Sequence, residues 1–231
     1  MPTLKEYNIK LARLRSTHKM TKTMKMVAAN KLRKAQEAHR KATEFAERLN
    51  GVAAQLSLDK DLQDSAFFRP RPVARAAVLV VTSERGLCGG FNNNLNKKVL
   101  KWVSSRTSEG KEIEVSFCGR KGLAYLKNKV KMGQVYEGVT AKPTFASAMQ
   151  MGANLRAAFL AGRADEVYLA YNLSTGAMSY TPVVERLLPV EPPKVSVDRT
   201  TMPTWIVEPR GIDFVNALIP RFVNMKIFFA L

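Results

Sequence analysis

One stretch at the start of the chain limits its possible folds more than any other feature. From Thr3 to Leu56 the sequence contains no proline and a single glycine, Gly51. Alternate steps of three and four residues from Leu4 mark 16 positions, of which 12 are apolar. This spacing is typical of a long helix with a coiled-coil-type seam. If helical throughout, the stretch extends for about 81 Å, so it must project from a domain or run along a partner.

The seam of this helix is made of small and medium-sized apolar residues. Its predicted members are Leu4, Leu11, Leu14, Ala28, Leu32 and Ala35. Near the middle of the stretch the stripe becomes polar, and the apolar residues move to Met20, Met24 and Val27. The seam therefore rotates locally, which a change of partner or of supercoil explains.

Positive charge is concentrated on the same stretch. The chain has 37 lysine and arginine residues against 19 acidic residues, a formal net charge of +18. Nine bases and no acid lie between Glu6 and Glu37, and on an isolated helix such like charges repel. A solvated face is one interpretation, but a negatively charged neighbour explains the run better. Nucleic acid, anionic lipid and an acidic protein surface are the alternatives for that neighbour.

The middle of the chain has the pattern of an α/β domain. The apolar run AAVLVVT at 76–82 predicts a strand that is buried on both faces. Further strands are predicted at 113–118, 166–171 and 180–189, and helices at 92–106, 119–130 and 144–161. Strands that alternate with helices predict a mostly parallel sheet.

The sequence divides into four predicted parts. These are a long N-terminal helix at 1–58, the α/β domain at 73–190, a proline-rich extended connector at 191–210 and the start of a C-terminal helix at 211–231. No run approaches the roughly 18 apolar residues of a membrane-spanning helix. Direct membrane insertion is therefore not expected.

A glycine-rich loop from Ser83 to Asn92 follows the first predicted strand and precedes a helix. In nucleotide-binding domains, glycines at this place let backbone N–H groups approach a phosphate. The loop matches neither GxGxxG nor GxxxxGK[ST], and it contains no lysine. Tight turning therefore explains its glycines better than phosphate binding.

No catalytic constellation is found in the sequence. Cys88 has the position of a nucleophile near a helix terminus, but such a thiolate needs a base. The histidines, His18 and His39, both lie on the first helix, about 32 Å apart and too distant to share a metal. Cys88 and Cys118 form no CxxC pair. We expect no catalytic residue, no cofactor and no metal.

Three stretches together resemble the gamma subunits of F-type ATP synthases. Residues 19–36, KMTKTMKMVAANKLRKAQ, are similar to the N-terminal helix signature of that family. Residues 83–92, SERGLCGGFN, resemble the family's loop after the first sheet strand, and 183–189, VVERLLP, resemble its late strand. The order and spacing of these motifs fit the whole chain.

The resemblance implies a non-catalytic subunit of the central stalk. The family's gamma subunit forms a shaft of two antiparallel helices inside a ring of alpha and beta subunits, above a Rossmann-like domain. Its other implied partners are an epsilon-type stalk subunit and the membrane ring of c subunits. Torque in the shaft couples proton flow to ATP synthesis, and the reverse in hydrolysis.

The resemblance also implies a rotor–stator contact. In the family, the region matching Lys22, Met24, Arg85 and Cys88 lies near an acidic loop of the beta subunits. Our hypothesis is that Lys22 and Arg85 set the electrostatic contact while Met24 slides. Long-range attraction centres a rotor without the tight pairing that would hold it in place.

The chain departs from the family pattern at its C-terminal end. Residues 221–226, RFVNMK, resemble only the beginning of the family's long C-terminal helix. We therefore expect a C-terminally short gamma subunit, and the departure leaves torque transmission by this chain open.

Two other functions and two locations stay open at this point. A basic nucleic-acid-binding protein is the alternative function, since a basic helix is its electrostatic signature. No stacking aromatics interleave the basic residues, which argues against it. A small α/β enzyme that uses the glycine loop is a further alternative. The expected location is the cytoplasmic face of the bacterial inner membrane, with the matrix side of the mitochondrial inner membrane second.

Overall fold

The computed structural model describes parts of the predicted N-terminal helix, α/β domain and C-terminal helix. The described residues are 3–57, 65–69, 71–176, 179–190 and 212–231. Contacts within the chain divide it into two units, Met1–Phe45 and Ala46–Leu231. The predicted connector at 191–210 lies outside the described residues.

The first helix, α1, spans Leu4–Ser57 and is 54 residues long. The predicted single long helix is confirmed. A reciprocal cap begins it: the Thr3 backbone N–H donates to the Glu6 carboxylate at 2.8 Å, and the Glu6 N–H donates to the Thr3 hydroxyl oxygen at 3.4 Å. This arrangement satisfies two backbone donors at the helix start.

A five-stranded sheet with the order β3-β2-β1-β4-β5 forms the centre of the second unit. The strands are β1 Arg75–Val81, β2 Glu112–Cys118, β3 Lys131–Tyr136, β4 Glu166–Ser174 and β5 Tyr180–Leu188. β1 to β4 are parallel, and β5 runs antiparallel to β4. The predicted mostly parallel sheet is confirmed. Because β1 lies between β2 and β4, the strand order changes direction at β1.

Helices cover both faces of this sheet. They are α2 Phe91–Ser108, α3 Arg120–Leu126, α4 Phe145–Leu160 and α5 Ile212–Ala230, with a short 3₁₀ turn at Val139–Ala141. The helix predicted at 119–130 is too long, since α3 ends at Leu126. The sequence-based prediction also missed β3 entirely.

β3 escaped prediction because it is an edge strand. Its Met132 and Val135 side chains are 44% and 39% exposed, so no buried apolar run marks it. Gly133 permits close approach to β2, since a Cβ there would lie 2.6 Å from the Ser116 hydroxyl. A half-exposed strand with an internal glycine gives little periodic signal.

The residues of β1 alternate between two apolar cores, one on each face of the sheet. One core contains Ala76, Val78 and Val80 of β1, Leu95, Val99 and Val103 of α2, and Leu126 of α3. The other contains Ala77, Leu79 and Val81 of β1, Met151, Leu155 and Phe159 of α4, and Val215, Ile219, Val223 and Ile227 of α5. A strand buried on both faces explains the continuous apolar run in the sequence.

The C-terminal helix α5 is part of the second core. It continues through Pro220 and packs on α4 and β4. Its buried apolar residues, at 215, 219, 223 and 227, are spaced by four residues. One face of α5 is thereby fixed on the α/β domain.

Candidate partner-contact site

The basic side chains of α1 form an exposed surface. All nine bases between Glu6 and Glu37 are exposed. Arg33 lies 3.9 Å from Glu37, one turn away, and exposed pairs of this kind contribute little stability. The helix therefore presents a positively charged surface to its surroundings.

Lys22 and Met24 both belong to this exposed part of α1. The Met24 side chain is 62% exposed, and Lys22 is exposed as well. Residues that are two positions apart on a helix are separated by about 200° around its axis. The Lys22 and Met24 side chains therefore point to different sides of α1. The hydroxyl of Thr23, the residue between them, donates to the Lys19 carbonyl of the preceding turn at 3.0 Å.

The predicted seam residues of α1 are also exposed. They are Leu4, Leu11, Leu14 and Leu32, between 47% and 82% exposed, and the smaller Ala28 and Ala35. Exposed apolar side chains repeated along one helix are typical of a surface that a partner covers. α1 thus combines exposed apolar and exposed basic residues on one helix.

The loop between β1 and α2 carries the other two predicted contact residues. Arg85 and Cys88 are exposed. Leu87 between them is fully exposed and has a φ of 62°, a left-handed conformation that costs a non-glycine residue about 1–2 kcal/mol. Such a conformation persists only where neighbouring contacts impose it.

Asn92, in the first turn of α2, provides one set of these contacts. Its Oδ1 accepts a hydrogen bond from the Ser83 backbone N–H at 3.0 Å. Its Nδ2 donates to the Ser83 hydroxyl oxygen at 2.8 Å and to the Cys88 sulfur at 3.0 Å. The Ser83 hydroxyl in turn donates to the Arg85 carbonyl at 2.5 Å. The buried Asn92 side chain therefore joins both ends of the loop.

Glu84 attaches the same loop to the neighbouring strand ends. Its carboxylate accepts hydrogen bonds from the backbone N–H groups of Gly138 at 2.9 Å and Arg120 at 3.3 Å. It also accepts one from the Thr140 hydroxyl at 3.4 Å, and the Arg120 guanidinium lies 3.8 Å away. The Glu84 side chain is only 11% exposed, so it supports Arg85 rather than contacting a partner itself.

The corner between β2 and α3 packs directly on β1. Gly119 has a φ of 101°, and a Cβ there would lie 2.1 Å from the Thr82 carbonyl oxygen. The Thr82 N–H donates to the Cys118 carbonyl at 2.8 Å, and its hydroxyl accepts from the Gly122 N–H at 2.8 Å. Only glycine fits at position 119, because both the conformation and the space exclude a side chain.

Sequence reasoning missed Glu84, Asn92 and Gly119 as supports of the loop. Their partners are as far away as 56 residues in the sequence, so local patterns do not show them. The sequence did contain one signal for Glu84. An acidic residue shortly after a buried parallel strand lies at the edge of the sheet where the loops of neighbouring strands meet.

The two cysteines have different environments. Burial, with a smaller contribution from the Glu84 carboxylate, raises the pKa of the Cys118 thiol to about 12. Cys88 is exposed, and its sulfur accepts a hydrogen bond from the Asn92 amide, which is not a base. This geometry fits a structural role for Cys88 in the loop better than nucleophilic catalysis.

A cleft of about 140 Å³ lies at the carboxyl end of the sheet, beside β1 and β4. It is lined by Val81, Thr82, Ser83, Phe91, Thr140, Asn172, Ala230 and Leu231. Open α/β sheets bind ligands at this place, but ligand pockets measure roughly 300–1,000 Å³. None of these lining residues has a basic side chain to pair with a phosphate. The cleft does not support an enzyme built on the glycine loop.

Metal ligation and membrane spanning find no support in the residues that the structure describes. Within those ranges, no three side chains of histidine, cysteine, aspartate or glutamate are grouped to hold a metal ion. Nor does any helix described there combine the length and the apolar character needed to cross a bilayer.

Both the sequence and the fold match known proteins. A sequence model of the family described as ATP synthase matches residues 3–231. The ATP synthase gamma chain of Geotalea daltonii is 35% identical over 228 residues, which are 99% of this chain and 79% of that protein. The gamma chain of Geobacter metallireducens is 33% identical over 231 residues, 100% of this chain and 80% of that protein.

A solved structure shares the fold. It is a chain from the cryo-EM structure of the central stalk and c-ring of the Tetrahymena thermophila mitochondrial ATP synthase. The TM-score is 0.66 at 21% identity, over 91% of this chain and 90% of that chain. At this identity the match supports the long helix and the α/β domain as an architecture.

Proposed function

Because this chain belongs to the ATP synthase gamma-chain family, we propose that it is the rotating shaft of a proton-translocating F-type ATP synthase. A gamma chain is a non-catalytic subunit of the central stalk, and the catalytic sites lie on the beta subunits. In the proposed mechanism, rotation of the shaft couples proton flow through the membrane ring to conformational change at those sites.

The observation that carries this proposal is the surface of α1. Every described side chain from Thr3 to Glu37 is exposed, including the apolar seam and all nine bases. An apolar seam needs a covering surface, and a row of unpaired bases is stabilised by a partner of negative potential. A ring of alpha and beta subunits around the helix supplies both.

The proposed rotor–stator contact consists of Lys22, Met24, Arg85 and Cys88, each against the beta subunits. Lys22 and Arg85 attract an acidic loop over a distance of about 8–10 Å, the range of electrostatic forces at cellular salt. Met24 offers a flexible and uncharged side chain that changes neighbours easily. Weak attraction combined with an adaptable contact permits rotation.

The proposed partners are the alpha and beta subunits, an epsilon-type stalk subunit and the membrane ring of c subunits. In this assignment the segments at 1–58 and 211–231 belong to the shaft, and the α/β domain at 73–190 faces the membrane ring. The two bacterial gamma chains support a location at the cytoplasmic face of the inner membrane. Nothing in the comparisons supports the nucleic-acid-binding alternative.

Co-expression with alpha and beta subunits tests the proposal. We expect the three chains to co-purify, with ATP hydrolysis by the complex and none by this chain alone. Joined to the membrane ring in sealed vesicles, the complex should acidify the lumen when ATP is added. A chain that stays monomeric beside alpha and beta subunits, or a complex that hydrolyses ATP without pumping, contradicts the rotor function.

A further inference from the structure

α5 and α4 lie close together where Gly152 faces Asn224. A Cβ on Gly152 would lie 2.1 Å from the Asn224 Oδ1, so no larger residue fits unless Asn224 moves. The neighbours of Asn224 on the same face of α5, Val223 and Ile227, are completely buried. Asn224 is thus a buried polar side chain on an apolar helix face.

Arg156, one turn further along α4, is the partner of this buried amide. Its Nη1 donates to the Asn224 Oδ1 at 2.7 Å and to the Pro220 carbonyl at 3.3 Å. Burial lowers the pKa of Arg156, but a guanidinium in a protein stays protonated. The contact is therefore charge-assisted and directional.

The contact lies next to Pro220, which weakens α5. Proline has no N–H, so the helical hydrogen bond to the carbonyl of residue 216 cannot form and α5 is weakened there. Arg156 bonds to the Pro220 carbonyl and to Asn224 in the following turn. It thereby attaches the helix to α4 next to its weakest point.

A second polar contact holds α5 from another side. The Lys226 Nζ lies 3.6 Å from the Glu185 carboxylate on β5, and both side chains are partly buried. The buried apolar residues keep one face of α5 on the domain, but apolar contacts are non-directional, so they define the exact rotational setting of the helix less sharply. Hydrogen bonds of fixed geometry define that setting more sharply, and a buried polar residue sets the register of a helix pair.

We propose that Arg156, acting through Asn224 and the Pro220 carbonyl, holds α5 in one rotational setting on the α/β domain and so transmits torque between them. This inference rests on the proposed rotor function and names a residue that positions the C-terminal helix on the domain. Arg156 is a positioning residue, since it touches no partner subunit in this scheme.

The test compares four variants in the complex with alpha and beta subunits and the membrane ring. They are Arg156→Met, Asn224→Leu, the double variant, and Arg163→Met, an exposed arginine just beyond α4. Protons pumped per ATP hydrolysed are measured in vesicles, and thermal unfolding is measured on each chain alone.

Arg156→Met should raise the population of rotated settings of α5 about tenfold, because one charge-assisted hydrogen bond is lost. Pumping per ATP should fall, while Arg163→Met should match the wild type.

The double variant separates torque transmission from simple stability. Replacing both partners with apolar groups restores much of the lost stability, but it does not restore the directional contact. We expect a thermal midpoint close to the wild type and pumping as poor as in Arg156→Met. If the double variant or Arg156→Met alone pumps like the wild type, Arg156 does not transmit torque. If the wild-type complex fails to pump, the rotor function is wrong and this inference falls with it.

Discussion

The carboxylate of Glu84 accepts a hydrogen bond at 2.9 Å from the backbone N–H of Gly138, 54 residues further along the chain. This contact fixes the loop after β1 to the end of β3. The exposed Arg85 is next to Glu84 in the sequence, so its backbone is held in place before any partner arrives. A preformed loop loses little conformational entropy when it binds.

We predict that Glu84→Ala lowers the free energy of unfolding by about 1–3 kcal/mol, because several donors lose a largely buried acceptor. Glu84→Gln should cost less, since its amide oxygen can still accept one of the bonds. Urea unfolding of the full chain measures both. Glu137→Ala is the matched control: Glu137 also pairs with Arg120, at 3.7 Å, but its side chain is 61% exposed. An equal loss in Glu84→Ala and Glu137→Ala contradicts the prediction.

A second prediction concerns Gly119, where the backbone has positive φ and the space for a side chain is filled. Gly119→Ala should destabilise the chain by about 3 kcal/mol or more, since the added Cβ meets the Thr82 carbonyl and the conformation is strained. Gly110 has a φ of 80° but nothing within 4 Å of an added Cβ. Gly110→Ala should therefore cost only about 1–2 kcal/mol of strain. Similar unfolding midpoints for the two variants would show that the clash at 119 is relieved.

The architecture could be predicted largely because its elements carry strong periodic signals. The absence of proline from Thr3 to Leu56 predicted α1, and the run at 76–82 predicted β1, since a strand covered on both faces must be apolar throughout. β3 carried no such signal, because its edge position leaves most of its side chains exposed. The end of α3 was also misplaced, since local propensity rarely fixes helix ends.

The candidate site was less accessible to sequence reasoning than the fold. The resemblance pointed to Arg85 and Cys88, and the structure places both on an exposed loop. Which side chains hold that loop depends on contacts between β1, β2 and β3 that exist only after the sheet has formed. Glu84 and Asn92 therefore looked like ordinary polar loop residues. The Arg156–Asn224 contact is hidden for the same reason, since 68 residues separate its members.

A third prediction tests the proposed sliding contact at Met24. Met24→Lys should add up to about 1 kcal/mol of attraction to an acidic loop of the stator, the usual limit for exposed charge pairs. We expect fewer protons pumped per ATP, with the defect reduced at high salt because screening weakens the added attraction. Met26→Lys is the matched control, since Met26 is similarly exposed at 55% and points to another side of α1. If Met24→Lys pumps as many protons per ATP as the wild type, the sliding hypothesis is wrong.

A fourth prediction follows from the buried thiol of Cys118, whose pKa is raised by burial to about 12. Well below the ordinary cysteine pKa of about 8.5 the thiol is neutral in both states, so it gives no pH dependence there. Above pH 9 the unfolded chain loses the proton and the folded chain keeps it, so stability falls by up to about 1.4 kcal/mol per pH unit. Urea unfolding between pH 8 and 10 should show this slope in the wild type and in Cys88→Ala.

Cys118→Ala tests whether this thiol causes the slope. The variant should be less stable at pH 8, since it leaves a cavity, but its stability should fall less steeply as the pH rises. Identical slopes in Cys118→Ala and Cys88→Ala would assign the alkaline loss to other groups, such as Tyr168, whose pKa is also raised to about 12, mainly by burial.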